Sequence, residues 1–240
     1  MLTPYYDKNG ITLYHGDCRE ILPQLDVKVD LLLTDPPYGI DYQSTRRTAW
    51  QRKDKIKGDI EFPLWIFDYL PDKSMFIFCR WDNLSGLPKP KSFIVWDKQR
   101  HSMGDLAHEY GRQWEAIAFY PQPNHKFVGR PKDVISIPCI PACNLLHPNE
   151  KPVALIKTLL VNNVGETVLD PFMRVGSTLL AAKSLNRKCI GIEIEEKYCE
   201  IAAKRCSQTV MALPIEPSQK EVKSNGTFFP LLGGIEDNRI

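Results

Sequence analysis

The amino-acid sequence predicts an α/β protein with a Rossmann-like, doubly wound and mostly parallel sheet, because short apolar segments of strand character alternate with segments of helical spacing. Few helical patterns separate the four middle strand segments, so we expect part of the sheet to be antiparallel. The predicted strands are residues 11–17, 29–35, 75–79, 92–98, 115–120, 134–138, 167–172 and 188–194.

Four further segments are predicted to form helices between these strands. "CREILPQL" follows the first strand, while "GSTLLAAKSLN" and "EEKYCEIAAKRCSQ" flank the last one. In "EKPVALIKTLLVNN" the apolar positions 153, 155, 156, 159 and 160 recur close to the spacing of one helix face. This alternation of strands and helices is typical of a parallel sheet covered by helices.

Composition limits the possible classes of protein. With 240 residues, of which 43% are hydrophobic, the chain can form one well-packed domain with a small appendage. The formal net charge is only +2, so a polyanion site has to come from local clustering of basic residues. No apolar run approaches the ~18 residues of a membrane span, and the N-terminus lacks a signal-peptide pattern. We expect the seven cysteines to be reduced thiols of a cytoplasmic protein.

One group of residues has the types that bind zinc: Cys139, Cys143 and His147 in "CIPACNLLH". Structural zinc sites need four ligands and usually tighter cysteine pairs, and a fourth ligand is not evident. We therefore expect no metal site.

Acidic residues stand at the ends of four predicted strands: Asp17, Asp35, Asp170 and Glu193. A single acid at such a place is often only a helix cap. Because ligands of open α/β sheets bind at the carboxyl ends of the strands, four acids at one edge predict a binding site. Segment 167–205 has the layout of a nucleotide site but lacks GxxxxGK and a complete GxGxxG, so the predicted ligand has a ribose and an adenine without pyrophosphate.

Four motifs in this order carry a resemblance to a known family: "TDPPYG" (34–39), "HPNEKP" (147–152), "DPF" with "GST" (170–178) and "GIEIEEKYCEIA" (191–202). Together they resemble the DNA amino-methyltransferases, S-adenosylmethionine enzymes that methylate adenine N6 or cytosine N4. The resemblance covers most of residues 11–206, and the catalytic motif precedes the cofactor motif, as in the permuted beta class. It implies a methyltransferase domain over 1–206, a C-terminal tail over 207–240, and S-adenosyl-L-methionine and double-stranded DNA as ligands.

The resemblance assigns the chemistry to Asp35, Pro36, Pro37 and Tyr38. An exocyclic amino nitrogen is a weak nucleophile, because its lone pair is delocalised into the ring. The Asp35 carboxylate and the Pro36 carbonyl can each accept a hydrogen bond from one of the two amino N–H groups. Together they would aim the nitrogen lone pair at the methyl group of S-adenosylmethionine. Tyr38 would stack on a target base that has been flipped out of the duplex. An acid in this motif favours adenine, since the cytosine-N4 enzymes more often have serine there.

The resemblance also implies which residues bind the cofactor. Glu193 would bind the ribose hydroxyls, Asp17 the adenine amino group, and the helix start the methionine carboxylate. The predicted cofactor-binding residues are Asp17, Lys151, Asp170, Phe172, Gly176, Ser177 (with Thr178 beside it) and Glu193.

One position departs from the family pattern. The turn normally has the sequence Phe-x-Gly-x-Gly, and Arg174 replaces its first glycine. Glycine allows close approach to the ligand and a positive φ, and arginine carries a steric cost for both. Either the side chain swings outward or pairs with the cofactor carboxylate, or it crowds the pocket and weakens cofactor binding. We expect activity to be retained.

A basic segment directly follows the catalytic motif. Residues 41–60 form the predicted DNA-contact loop, and residues 99–112 are a second candidate for target recognition. Without a large recognition domain, we expect a short recognition site or help from a second subunit in a homodimer, and allow for a separately encoded restriction nuclease. The predicted DNA-binding residues are Arg46, Arg47, Trp50, Arg52 and Lys53.

The sequence leaves several alternatives open. Cytosine N4 is the second choice of target atom, and RNA or a protein glutamine amide is an alternative substrate. The alternative without catalysis is a cofactor-impaired DNA-binding protein in which Arg174 is the lesion.

Overall fold

The computed structural model describes residues 2–39, 61–70, 72–101, 107–108, 110–163 and 165–208. Within this part of the chain, nine strands form one sheet in the order β1-β2-β9-β8-β3-β4-β6-β5-β7. The strands are β1 (Tyr6–Lys8), β2 (Ile11–His15), β3 (Leu31–Thr34), β4 (Ser74–Cys79), β5 (Ser92–Asp97), β6 (Trp114–Tyr120), β7 (Val134–Ser136), β8 (Thr167–Asp170) and β9 (Lys188–Glu193).

Strand direction confirms the predicted mixture. β2, β9, β8, β3 and β4 run parallel to one another, whereas β6 is antiparallel to both β4 and β5. Each of the eight predicted segments contains a strand. The sequence analysis missed β1, which pairs antiparallel with β2 and is only three residues long.

Helices cover both faces of the sheet, as expected for a doubly wound fold. α1 (Cys18–Ile21) and α2 (Ile66–Tyr69) pack on one face, and α3 (Val153–Val161), α4 (Ser177–Ser184) and α5 (Glu196–Ser207) on the other. α1 is much shorter than the predicted helix because Pro23 follows it, and α2 was not predicted.

The central strands are apolar on both faces, because both faces are covered. In β3, Leu31 and Leu33 point into the cluster under α3 and α4, while Leu32 points into the cluster under α1 and α2. All three leucines are at most 1% exposed. Such double-sided burial fixes the strand register, since a one-residue slip would exchange the two faces.

The described helices include none that is long and apolar enough to cross a membrane. α5 ends at Ser207, next to the predicted domain boundary after residue 206. Most of the predicted tail, residues 209–240, lies outside the described residues, as do residues 40–60, which hold the predicted DNA-contact loop, and residues 102–106 and 109 of the second loop.

Candidate active site

The carboxyl ends of four parallel strands meet at one edge of the sheet, and the four predicted acids follow them. Asp35 comes directly after β3, Asp170 and Glu193 are the last residues of β8 and β9, and Asp17 follows β2. The structure thus brings the acids to the same edge, as the alternation of strands and helices predicted.

Asp35 is the centre of a buried polar cluster. The Tyr38 hydroxyl donates a 2.5 Å hydrogen bond to its Oδ1, and the Lys151 ammonium donates a 2.9 Å bond to Oδ2. Lys151 Nζ also lies 3.3 Å from the Tyr38 hydroxyl and 3.1 Å from Glu115 Oε2. Asn83 holds the turn by donating from Nδ2 to the Tyr38 carbonyl at 3.1 Å.

Arg174 supplies the second cation on Asp35. Its Nη1 donates to Asp35 Oδ2 and, at 3.2 Å, to the carbonyl of Asn149, while Nη2 lies 3.4 Å from the carbonyl oxygen of Pro36. The backbone has φ 50°, so this position does need the left-handed conformation that glycine adopts most easily. Of the alternatives left open for Arg174, the outward swing is not the one seen, because the side chain is buried and points to Asp35.

The cluster keeps Asp35 ionised. Burial would raise the pKa of its carboxyl, but the charges of Arg174 and Lys151 and the hydrogen bond from Tyr38 outweigh burial and hold it below the usual 3.8. Burial and the neighbouring Asp35 charge raise the pKa of Tyr38 well above 10.0. Tyr38 is therefore a neutral donor and Asp35 an acceptor with a full negative charge.

Asp170 has its carboxylate directed into the protein. Oδ1 accepts hydrogen bonds from the Thr34 hydroxyl at 2.7 Å and the Phe172 amide at 3.1 Å, and Oδ2 accepts one from the Thr178 hydroxyl at 2.6 Å. Burial raises the pKa of this carboxyl to about 6, although the three hydrogen bonds oppose the effect. Asp170 thereby links the end of β8 to Thr34, the last residue of β3 and the neighbour of Asp35. Through Thr178 it also links β8 to the start of α4.

A cavity of about 380 Å³ opens beside Arg174, and several of the predicted cofactor residues line it. Glu193 lines it and is held by two backbone amides, since its Oε2 accepts from Arg174 N at 3.0 Å and its Oε1 from Glu195 N at 2.8 Å. Burial raises the pKa of Glu193. Other lining residues include Asp17, Pro37, Trp65, His147, Phe172, Arg174 and Tyr198.

The remaining predicted cofactor residues lie elsewhere. Lys151 and Ser177 border a gap of about 20 Å³ next to Asp35, and the buried Ser177 hydroxyl has no hydrogen-bond partner. Gly176 has φ 80° and caps α4, where an added Cβ would lie 3.0 Å from Ala202 of α5. Asp17, which does line the 380 Å³ cavity, also caps α1 and forms a 2.6 Å ion pair with Arg19.

A second cavity, of about 370 Å³, is lined in part by Tyr38. Aromatic and basic side chains line it, a combination that suits a nucleic-acid base and its phosphates. Its lining residues include Tyr38, Arg80, Trp81, Lys98, Tyr110, Arg112, Trp114 and Glu115. Part of the predicted recognition loop, residues 110–112, thus lies beside the catalytic motif, while Arg46, Arg47, Trp50, Arg52 and Lys53 lie outside the described residues.

His147 lines the 380 Å³ cavity. It is buried against the Tyr198 ring at 4.9 Å, and burial, with the Arg174 charge, lowers its pKa to about 2. Among the described residues there is no group of three or more His, Cys, Asp or Glu side chains that could hold a metal ion.

Comparison with known proteins agrees with the geometry. The family described as "DNA methylase" matches residues 132–204. Type II methyltransferase M.ScaI of Streptomyces caespitosus is 25% identical over 88% of this chain and 86% of its own length. DNA adenine methyltransferase YhdJ of Escherichia coli is 27% identical over 81% of this chain and 82% of its own length.

Solved structures give the same result. The M1.HpyAVI–S-adenosylmethionine complex has a TM-score of 0.59 and 28% identity, covering 81% of this chain and 99% of that one. The cytosine-N4-specific PvuII DNA methyltransferase has a TM-score of 0.62 at 16% identity, covering 88% and 91%, which supports the fold alone. The chain is thus similar to DNA methyltransferases of the N4/N6 family. It has the fold of the class I methyltransferases.

The cavity of about 380 Å³ has a size and lining that would fit S-adenosylmethionine. A volume of about 380 Å³ is within the range of small-molecule sites, and it combines a buried carboxylate for hydroxyl groups with aromatic walls from Trp65 and Phe172. The unpaired Ser177 hydroxyl in the adjoining gap is a further polar group available to a ligand.

Sequence analysis missed three residues of the candidate site. Glu115, at the start of β6, pairs with Lys151 at 3.1 Å and with Lys98 at 3.3 Å. Trp65 lines the cavity beside Phe172, with 6.4 Å between the two ring centroids. Asn149 accepts from Arg174, and only its place in "HPNEKP" could have indicated a role.

Proposed function

We propose that this methyltransferase transfers the methyl group of S-adenosylmethionine to N6 of adenine in double-stranded DNA. The observation that carries the proposal is the ionised Asp35 carboxylate beside the Pro36 carbonyl, two acceptors close enough to be bridged by one guanidinium. An exocyclic amino group has two N–H bonds to offer to such a pair. Similarity to an adenine methyltransferase, YhdJ, and the acid in place of serine favour adenine over cytosine.

The residues of the cluster would divide the work as follows. Asp35 and the Pro36 carbonyl would each accept a hydrogen bond from one N–H group of the target amine. These two bonds would turn the lone pair of the amine nitrogen out of conjugation with the ring. Tyr38 and Lys151 fix the Asp35 carboxylate, so that little reorganisation is needed when the base arrives. S-adenosylmethionine, when bound, supplies an electrophilic methyl group. The amino group becomes acidic only after it has gained that methyl, so no strong base is required before attack.

The cofactor would be held by the residues around the 380 Å³ cavity. Glu193 is placed for the ribose hydroxyls, because backbone amides already fix both of its oxygens. Trp65 and Phe172 provide apolar walls for the adenine, and Asp17 lies at the same cavity. Asp170, Gly176, Ser177 and Lys151 would contribute indirectly or at the methionine end.

The target base would enter the 370 Å³ cavity beside Tyr38, since bases have to leave the duplex to be methylated. The charges around this cavity, from Arg80, Lys98 and Arg112, suit the neighbouring phosphates. Similarity to type II methyltransferases supports a role beside a separately encoded restriction nuclease. The homodimer stays a prediction.

Nucleoside analysis tests the reaction. Purified protein is incubated with unmethylated DNA and S-adenosylmethionine, and the digested nucleosides are examined by mass spectrometry, with Asp35→Asn as the inactive control. N6-methyladenine is the expected product. N4-methylcytosine would keep the mechanism and overturn the choice of base, and no methylated base would contradict both.

The basic segment gives a separate test of DNA contact. Changing Arg46 and Arg47 to Ala should weaken DNA binding and lower the slope of log K against log salt by about 2, because each lost phosphate contact contributes about 0.9. The matched control changes Lys126 and Arg130, exposed cations in the connection between β6 and β7, to Ala. An unchanged slope in the first variant would exclude the proposed contact.

A further inference from the structure

Arg174 occupies the two acceptors that the proposed reaction needs. One nitrogen of its guanidinium donates to Asp35 and the other lies 3.4 Å from the Pro36 carbonyl. These are the groups to which the target amine would donate its two N–H bonds. In this arrangement the amine and the guanidinium therefore exclude each other.

The backbone of Arg174 is anchored on the cofactor side of the site. Its amide donates to Glu193 at 3.0 Å, and the residue lines both the 380 Å³ cavity and the 20 Å³ gap next to Asp35. Because the backbone is anchored there, rotation of the side chain alone would carry the guanidinium from Asp35 toward the 380 Å³ cavity. Guanidinium groups bind carboxylates by paired hydrogen bonds, so a ligand carboxylate in the cavity is a suitable alternative partner.

The charges allow this exchange. When the Arg174 guanidinium moves away, Asp35 still accepts its 2.9 Å hydrogen bond from Lys151. Lys151 in turn still forms its 3.1 Å ion pair with Glu115. Asp35 is therefore not left as a buried charge without a partner, which would be costly. The guanidinium, which is also buried, needs a new anion, and the methionine carboxylate of the cofactor is one that the reaction itself brings.

We propose that Arg174 is a cofactor-dependent gate residue of this methyltransferase. Without cofactor its guanidinium holds Asp35 and Pro36, and with cofactor it moves to the methionine carboxylate and frees both acceptors for the target amine. The enzyme would then capture its target base only after the cofactor has bound. The inference rests on the proposed roles of Asp35 and Pro36, but the movement can be tested without DNA.

The test compares two ligands by isothermal titration calorimetry: S-adenosylhomocysteine, which has the carboxylate, and 5′-methylthioadenosine, which lacks it. Asp35→Asn releases the guanidinium and should raise affinity for S-adenosylhomocysteine about tenfold, the effect expected of one charge-assisted interaction, with little change for 5′-methylthioadenosine. In an Arg174→Gln background the same change at Asp35 should have no effect on either ligand.

The control is Glu150→Gln, which neutralises another buried carboxylate, one paired with Arg205 at 3.0 Å, and should leave the ratio of the two affinities unchanged. Equal effects of Asp35→Asn on both ligands, or an effect that persists without Arg174, would overturn the proposal. So would a failure of the wild-type protein to bind either ligand.

A crystal structure of the wild-type protein with S-adenosylhomocysteine decides the question without any variant. The guanidinium of Arg174 should lie on the ligand carboxylate, and a guanidinium still bonded to Asp35 would contradict the gate. Because neither experiment contains DNA, a product of N4-methylcytosine would leave this inference intact.

Discussion

Replacing Tyr38 by Phe separates two roles of this residue, the stacking of its ring and the hydrogen bond of its hydroxyl. The hydroxyl donates a 2.5 Å bond to Asp35, whose carboxylate is buried and charged. Hydrogen bonds to charged groups contribute roughly 1.5–3 kcal/mol. If Asp35 must be fixed for the transfer step, kcat should fall roughly 10- to 100-fold while DNA affinity stays nearly constant.

The same substitution should move the pH dependence. Tyr38 is one of the groups that hold the pKa of Asp35 below 3.8, against the effect of burial. A carboxyl with a lowered pKa stabilises the fold above that pH range and loses this contribution as the pH falls through its folded pKa. Without the hydroxyl the pKa rises, so both activity and stability should decline at a higher pH on the acidic side.

The assay is single-turnover methylation of DNA and urea unfolding of each variant, both followed from pH 8 down to below the usual carboxyl pKa of 3.8. Tyr120→Phe is the matched control, since the Tyr120 hydroxyl donates a 2.8 Å bond to the Pro88 carbonyl, outside the site. The argument that the hydroxyl positions Asp35 is wrong if Tyr38→Phe methylates DNA within twofold of the wild-type rate and if its rate and stability decline at the same low pH as those of the wild type.

Three further variants test the surroundings of the site. Burial raises the pKa of Asp170 to about 6, so the folded chain loses about 3 kcal/mol as the pH rises from about 4 to about 6, and Asp170→Asn should flatten that slope in urea unfolding. Gly176→Ala should cost about 1–3 kcal/mol more than Gly129→Ala, because both have a positive φ but only the first meets a neighbour, at 3.0 Å. Phe172→Leu should weaken S-adenosylhomocysteine binding about fivefold by removing an aromatic wall, whereas Leu at the exposed Phe93 should not; equal losses would contradict that role.

The sequence determined the strands and the order of the motifs, because both are local. The short apolar runs "LLLT" and "TVLD" form the predicted strands, and an acid that ends or follows a parallel strand lies at the carboxyl edge of the sheet. The positive φ at Arg174 could also be expected, since the family pattern has glycine there. The extra β1 was not predicted, because its pairing with β2 outweighs a weak local signal. The short α1 follows from Pro23, which ends the helix early.

Only the tertiary structure decided which side chains meet. Arg174 and Asp35 are 139 positions apart, and no local pattern fixes whether an arginine side chain points outward, to the cofactor or to the catalytic acid. Lys151 was predicted to bind the cofactor, and its ammonium donates a 2.9 Å hydrogen bond to Asp35, because the start of α3 packs beside the end of β3. Side-chain direction depends on which partners the fold leaves within reach, and a buried cation takes the nearest available carboxylate.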